Sequence, residues 1–387
     1  MPSASILIKP ASSDCTISCR YCFFREIAQR REAPRARRMS DDVLESLVRE
    51  ALEYADGHVS FTWQGGEPML AGLGFFRCAV ALQRRLNAAG IRVENAIQTN
   101  GLLVDDEWAG FFADEGFLVG LSIDGPREIH DAGRVDHGGE GTFGRVASSA
   151  RTLVAHGVDV NVLSVVTAQA AGHPDEVYGF LRSEGFSYLQ FIPCMSEAPG
   201  HADVCAVEPE AYGHFLARVF DLWYAGYVAG ADVDVRQFSN WAQMAAGLPP
   251  EECGMCGHCT TYFAVEADGS VYPCDFYMTD EWRLGSVSDG FATLYGGEPS
   301  QAFMARFLPV PSECRECRWY PLCRCGCFRW RDTARTGAPV SGDVPSLGVN
   351  YLCEGYQISF EHCFERLCRL GSLMRARLLG LPVPPAQ

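Results

Sequence analysis

The chain has 387 residues, of which 48% are hydrophobic and 21% charged, an ordinary globular composition with length for two or more domains. A net charge of −16 and a pI near 5.0 argue against nucleic acid, whose phosphates call for a basic face, and suit a basic peptide substrate instead. No run of about 18 apolar residues is present, and Met1-Pro2-Ser3-Ala4-Ser5 lacks a basic n-region and signal core, so the expectation is a cytoplasmic protein with no membrane contact.

In chain order, short β runs alternate with amphipathic helical stretches. Strands are predicted at Ser5–Lys9, His58–Gln64, Val93–Gln98, Leu118–Ile123, Asp159–Val166 and Tyr188–Ile192. Ser40-Asp41-Asp42 and Asp105-Asp106-Glu107 open helices with a cap and first-turn acids, and Thr142 and Pro174 open two more. Repeated β–α units imply a parallel sheet with right-handed crossovers, and six of them predict a partial barrel whose reactive face is the C-terminal ends of the strands. Pro209 begins a long apolar helix, Tyr212–Val228, expected to pack on the barrel. From Cys253 to Cys353 the chain turns to short elements, turns and cysteines. Ala338–Val349 reads as a loop, Tyr356–Leu379 as a closing helix, and Pro382-Val383-Pro384-Pro385 as a frayed tail. The predicted division falls at residues 1–235 and 236–387.

Eighteen cysteines without a secretion signal read as metal or cluster ligands rather than disulfides. Cys78, Cys194, Cys205, Cys363 and Cys368 stand alone and read as buried thiols. After the first strand comes Asp14-Cys15-Thr16-Ile17-Ser18-Cys19-Arg20-Tyr21-Cys22, a Cys-x3-Cys-x2-Cys run. Three thiolates on a four-iron cluster leave one iron open, where chemistry can occur. The alternatives are a zinc site with a distant fourth ligand, or a disulfide with a spare thiol. Gly65-Gly66-Glu67-Pro68 follows the second strand. Its glycines permit a close ligand, and Glu67 is placed to accept hydrogen bonds from an ammonium group, although a plain turn reads the same way.

The second cysteine group is Cys253-x5-Cys259, then a predicted hairpin over Thr261–Val271 turning at Asp268-Gly269, then Pro273-Cys274-Asp275. Cys314-x2-Cys317-x5-Cys323-x3-Cys327 and Cys353 follow, with Cys256 and Cys325 extra to the pattern. Structural zinc is the alternative here too. Gln64 and Gln98 read as peptide-positioning or strand-end residues, and Asp124 as a ribose contact or a turn former. The nine histidines show no ligand spacing, with His130 and His137 read as loop residues. Lys9 is the only lysine among 32 basic residues and reads as a compositional bias.

The Cys15/Cys19/Cys22 run paired with Gly65–Pro68 resembles the radical SAM superfamily, and the later cysteines resemble its SPASM domain. With Ser5–Ser13, Gln98-Thr99-Asn100-Gly101, Leu118–Pro126 and Asp268–Tyr277, nearly the whole chain resembles the anaerobic sulfatase-maturating enzymes. The resemblance implies an α/β fold, a partial (β/α)6 TIM-like barrel followed by a cysteine-rich SPASM domain with two auxiliary iron–sulfur clusters. It implies three 4Fe–4S clusters and S-adenosyl-L-methionine (SAM). Cys15, Cys19 and Cys22 would hold the first cluster, Cys253, Cys259, Cys274 and Cys327 the second, and Cys314, Cys317, Cys323 and Cys353 the third. SAM contacts would come from Tyr21, Gly65, Gly66, Glu67, Pro68, Ser122, Arg134 and Met195, where Met195 replaces a usual leucine. Phe24 stands where tyrosine is common, so a hydroxyl contact is absent. The implied activity oxidises a Cys or Ser in a Cys/Ser-x-Pro-x-Arg segment of a sulfatase to Cα-formylglycine. A Cβ hydrogen leaves to a 5′-deoxyadenosyl radical, Asp275 takes a proton as the catalytic base, and the auxiliary clusters take an electron. Implied partners are a peptide or unfolded sulfatase and a low-potential donor of flavodoxin or ferredoxin type. The runner-up is a SPASM maturase that cross-links or epimerises a ribosomal peptide. A non-catalytic electron carrier or zinc protein predicts no SAM binding.

Overall fold

The computed structural model describes residues 4–29, 31, 37–195, 205–306, 309–332 and 348–381. The tail from Pro382 and most of the Ala338–Val349 loop lie outside them. Two compact units divide the chain: residues 1–123, 134–161 and 260–305 form one, and residues 124–133, 162–259 and 306–387 the other. Among the described residues no helix is long and apolar enough to cross a membrane.

The first unit is built on strands β1 (Ala4–Ile8), β2 (His58–Trp63), β3 (Arg92–Thr99) and β4 (Leu118–Ser122), all parallel, with Ile8 opposite Trp63 and Trp63 opposite Ile97. Each strand lies within a residue of its prediction at either end. Their apolar side chains pack on helices that start where capping chemistry dictates. Ser40 Oγ accepts from Val43 N at 3.3 Å ahead of helix Asp41–Tyr54, and Asp105 Oδ1 accepts from Trp108 N at 2.9 Å ahead of Asp106–Asp114. Thr142 departs from expectation. It precedes helix Phe143–Ala155 but makes no side-chain cap, because its hydroxyl donates to Arg134 O at 2.9 Å.

The predicted hairpin forms as β8 (Phe263–Val265) and β9 (Ser270–Tyr272), antiparallel, with β8 parallel to β1 and β10 (Gly285–Ser286) beyond β9. Asp268-Gly269 makes the turn, with Gly269 at φ 83° and Asp268 Oδ1 accepting from Ser270 N at 2.8 Å. Under it Phe24, Ile27, Ala264, Tyr272 and Met278 form one buried apolar cluster.

The boundary between units falls inside β5 (Val160–Val166). The second unit continues through helix Pro174–Ser183, β6 (Tyr188–Pro193) and β7 (Asp234–Val235), which runs parallel to β6. Pro209 opens its long helix at the first position, and that helix (Pro209–Val228) lies against Cys353–Leu378. A Cβ on Gly213 would stand 2.6 Å from Gly355 O, so two glycines let the helix backbones touch. His130 is corrected. It is fully buried within helix Arg127–Gly133, not a loop residue. Of the solitary cysteines, Cys194, Cys205 and Cys363 are buried, whereas Cys78 and Cys368 are only partly covered.

Candidate functional site

The loop after β1 is wound into successive turns by Ser12 N donating to Lys9 O and Asp14 N to Ala11 O, both at 3.1 Å. The Gly65-Gly66 turn seats directly on this loop. Gly66 N donates to Ser12 O at 2.8 Å and Glu67 N to Asp14 O at 2.7 Å. A Cβ on Gly66 would stand 2.0 Å from Asp14 O, so the glycine is demanded by chain against chain as well as by any ligand.

Glu67 is fully buried. Its Oε1 accepts from Met69 N at 3.1 Å and Thr99 Oγ1 at 2.9 Å, and its Oε2 from Asn100 N at 2.9 Å. Burial pushes its carboxyl up to about 7, opposed by those three hydrogen bonds. These three hydrogen bonds tie Glu67 to the end of β3. Asn100 extends the brace to the thiols, with Nδ2 donating to Thr16 Oγ1 at 2.9 Å and to Cys15 Sγ at 3.5 Å. His137, read from sequence as a loop residue without a role, donates from Nε2 to Cys15 O at 3.0 Å.

Burial pushes the Cys15 thiol up to about 12, despite a backbone hydrogen bond at Ile17, and Glu67, Cys19 and Cys22 add repulsion. A thiol held neutral by burial and neighbouring charge gives up its proton on binding a cation. Three sulfur donors in one loop suit an iron cluster by their chemistry, and Asn100 donates to one of those sulfurs.

Asp275 opens a short turn, Asp275–Tyr277, after β9. Gln64 Nε2 donates to its Oδ2 at 2.9 Å, and Lys9 Nζ lies 2.6 Å from its Oδ1. The second contact is an ion pair without hydrogen-bond alignment at Oδ1. The Lys9 side chain is 1% exposed and that of Asp275 13%, so a buried cation is matched to a carboxylate with a remaining opening. Lys9 Nζ also stands 3.6 Å from the Phe24 ring centroid. The lone lysine is thus placed on the expected base, which corrects its reading as compositional bias.

The remaining expected SAM contacts are distributed. The Arg134 guanidinium is 5.6 Å from the Tyr21 ring centroid. Ser122 is nearly buried at the end of β4 and accepts from Gln98 Nε2 at 2.9 Å. Pro68 starts a single turn, Pro68–Ala71. Met195 follows β6 in the second unit and is half-buried. Asp124 Oδ1 accepts from Val165 N at 2.9 Å, and Asp124 is 1% exposed, which favours its turn-forming reading over a ribose contact.

The SPASM-type cysteines fall in both units. Cys274 is in the first, and Cys253, Cys259 and Cys327 are in the second, where Cys253 and Cys259 oppose ionisation of Cys327. The other expected set, Cys314, Cys317, Cys323 and Cys353, lines one cavity of the second unit, and Cys325 lines it with them. Burial, with Cys353 and Cys314 adding repulsion, pushes the Cys323 thiol up to about 12.

Comparison with known proteins identifies the family. Residues 10–178 match the radical SAM superfamily and residues 253–318 an iron–sulfur cluster-binding domain, SPASM. The chain is 41% identical over 376 residues to a cysteine-type anaerobic sulfatase-maturating enzyme of Clostridium perfringens, covering 96% of this chain and 99% of that one. It is 32% identical over 379 residues to a serine-type enzyme of Bacteroides thetaiotaomicron, covering 92% and 88%. The structure of native anSMEcpe with bound AdoMet and Cp18Cys peptide superposes with a TM-score of 0.88 at 40% identity, over 96% of this chain and 99% of that one.

Proposed function

The chain belongs to the anaerobic sulfatase-maturating enzymes, radical SAM proteins with a SPASM domain that convert a cysteine or serine to formylglycine, and from that premise we propose its substrate, ligand sets and base. The substrate is a peptide or unfolded sulfatase carrying Cys/Ser-x-Pro-x-Arg, and the reductant is a small low-potential electron carrier. The related structure holds AdoMet and a peptide together, which supports both as ligands here. Cys15, Cys19 and Cys22 hold the first cluster. Cys253, Cys259, Cys274 and Cys327 hold a second, and Cys314, Cys317, Cys323 and Cys353 a third. The proposed division at 1–235 and 236–387 follows the cysteine spacing and cuts across both compact units.

When bound, the first cluster and SAM supply a radical that removes a hydrogen from the substrate Cβ, and the auxiliary clusters accept the second electron. Every remaining task falls to side chains. The backbone of the Gly65–Pro68 turn, Ser122, Arg134 with Tyr21, and Met195 orient SAM. Asp275 takes the substrate proton. Its Oδ1 faces the Lys9 ammonium, and its Oδ2, held by a neutral amide from Gln64, keeps a lone pair for that proton. Losing a proton makes a carbon radical easier to oxidise, so a base one residue from the ligand Cys274 couples the two departures. The observation that carries this reading is the Lys9–Asp275–Gln64 constellation.

The test is incubation of reconstituted enzyme with a Cys-x-Pro-x-Arg peptide, SAM and a low-potential reductant, read by mass. Formylglycine exchanges sulfur for oxygen and removes two hydrogens. A product that has lost only hydrogens would instead make this a cross-linking maturase.

A further inference from the structure

The first unit buries a second ion pair beside the one at Asp275. The Arg31 guanidinium pairs with the Glu266 carboxylate, and both side chains are 0% exposed. Glu266 Oε1 also accepts from Ala267 N at 3.3 Å. Arg31 Cζ stands 5.2 Å from the Tyr272 ring centroid and 5.6 Å from that of Phe24, the ring that also carries Lys9 Nζ. Two cations and two carboxylates therefore meet at one aromatic cluster. Among the described residues, Arg31 Nε and Nη2 are buried without a hydrogen-bond partner. A guanidinium so poorly satisfied is a costly way to stabilise a fold, and it calls for another role.

Strand register supplies that role. β8 runs parallel to β1 with Ile8 opposite Val265, and Lys9 N donates to Val265 O at 2.8 Å. The same register carried one residue further sets Lys9 opposite Glu266, with both side chains on one face of the sheet. Lys9 thus has two carboxylates to choose between. Glu266 is the deeper, 0% exposed against 13% for Asp275, and attraction between charges is strongest where water is excluded. Without Arg31, the lysine ammonium would turn to Glu266.

We propose that Arg31 is a positioning residue for the reaction: its guanidinium occupies Glu266, so that the Lys9 ammonium is left to Asp275. Arginine suits the task, because it stays charged when buried and packs over aromatic rings. Tyr272 and Phe24 provide those rings, and Phe24 in turn braces the ammonium. Arg31 acts on the base only through Lys9. The inference rests on the reading of Asp275 as that base.

Lys9 is the only lysine of the chain, so isotope-labelled lysine gives a single side-chain NMR resonance that reports its surroundings. The full-length wild type is compared with R31Q, E266Q, R31Q/E266Q, and K9M with and without R31Q. Each is read by that resonance, where the lysine remains, and by formylglycine formed per SAM cleaved after reconstitution. R31Q is expected to move the resonance and to lower the ratio about tenfold, as K9M does. Removing the competing carboxylate in R31Q/E266Q restores both, and R31Q adds nothing in the K9M background. An unmoved resonance in R31Q overturns the proposal. So does a further fall when R31Q is added to K9M, the mark of a merely structural role. If R31Q does not fold, E266Q decides: with Glu266 neutral the resonance and the ratio hold, and loss of either overturns the proposal. A wild-type ratio in D275N overturns the base reading instead, an outcome distinct from any failure of the pairing.

Discussion

The loop after β1 presents three thiols, and the cavity of the second unit presents five. Set against the four irons of a cluster, one site falls a ligand short and the other has a ligand to spare. The surroundings differ in the same sense. The three-thiol loop is backed by Asn100 and the buried Glu67 and is wedged in place by Gly66. The five-thiol cavity is lined by Trp319, Tyr356 and Phe360 and holds its surplus thiol in a left-handed turn. On the proposed ligand sets, the deficit would leave a reactive position and the surplus would keep the other site's coordination filled.

That contrast breaks most sharply under cysteine removal. C15A is expected to abolish SAM cleavage, whereas C323A keeps SAM cleavage and loses formylglycine; SAM cleavage lost equally in both would erase the distinction between the sites. D275N comes next. It should still cleave SAM while formylglycine formation falls on the order of 10²-fold, the usual scale for a general base. Full activity in that variant removes Asp275 from the role.

A third change tests the bracing of the thiol-poor loop. E67A leaves three buried donors unpaired and is expected to lower unfolding free energy by about 3 kcal/mol in urea titrations. The native carboxyl of Glu67, near 7, is raised above its unfolded value of 4.5, so its contribution is full below about pH 4.5 and is lost as pH rises through 7. E67Q should flatten that part of the stability–pH curve, and an unchanged slope would deny the burial effect. The smallest expected effect is K9M. It leaves the Asp275 carboxylate without its cation and should slow product formation about tenfold with SAM cleavage intact, measured on the same peptide.

The six barrel strands were legible because apolar runs bounded by turn residues leave little choice of register. The cysteine-bearing segments were legible as a family pattern, since residues 10–178 and 253–318 match the expected families. What sequence could not show were contacts closed across long separations. Glu67 meets Asn100 and Lys9 meets Asp275 only after β1, β2, β3 and the hairpin pair, so neither the hydrogen-bonded carboxylate nor the paired lysine had a local signature. A signal for Lys9 did exist. In a chain that otherwise uses arginine, a single lysine directly after a strand is the exception that points to this position. His137 had no such mark, since its partner is the backbone of Cys15.

Because the sole ε-amine of this protein is 1% exposed, its folded surface offers no lysine to acylating reagents, amine cross-linkers or lysine-modifying enzymes. Coupling chemistry must go through carboxylates, arginines or thiols. Conversely, an acyl tag found at Lys9 dates the moment at which the pocket around Asp275 came open, which makes this one residue a built-in timer of local unfolding.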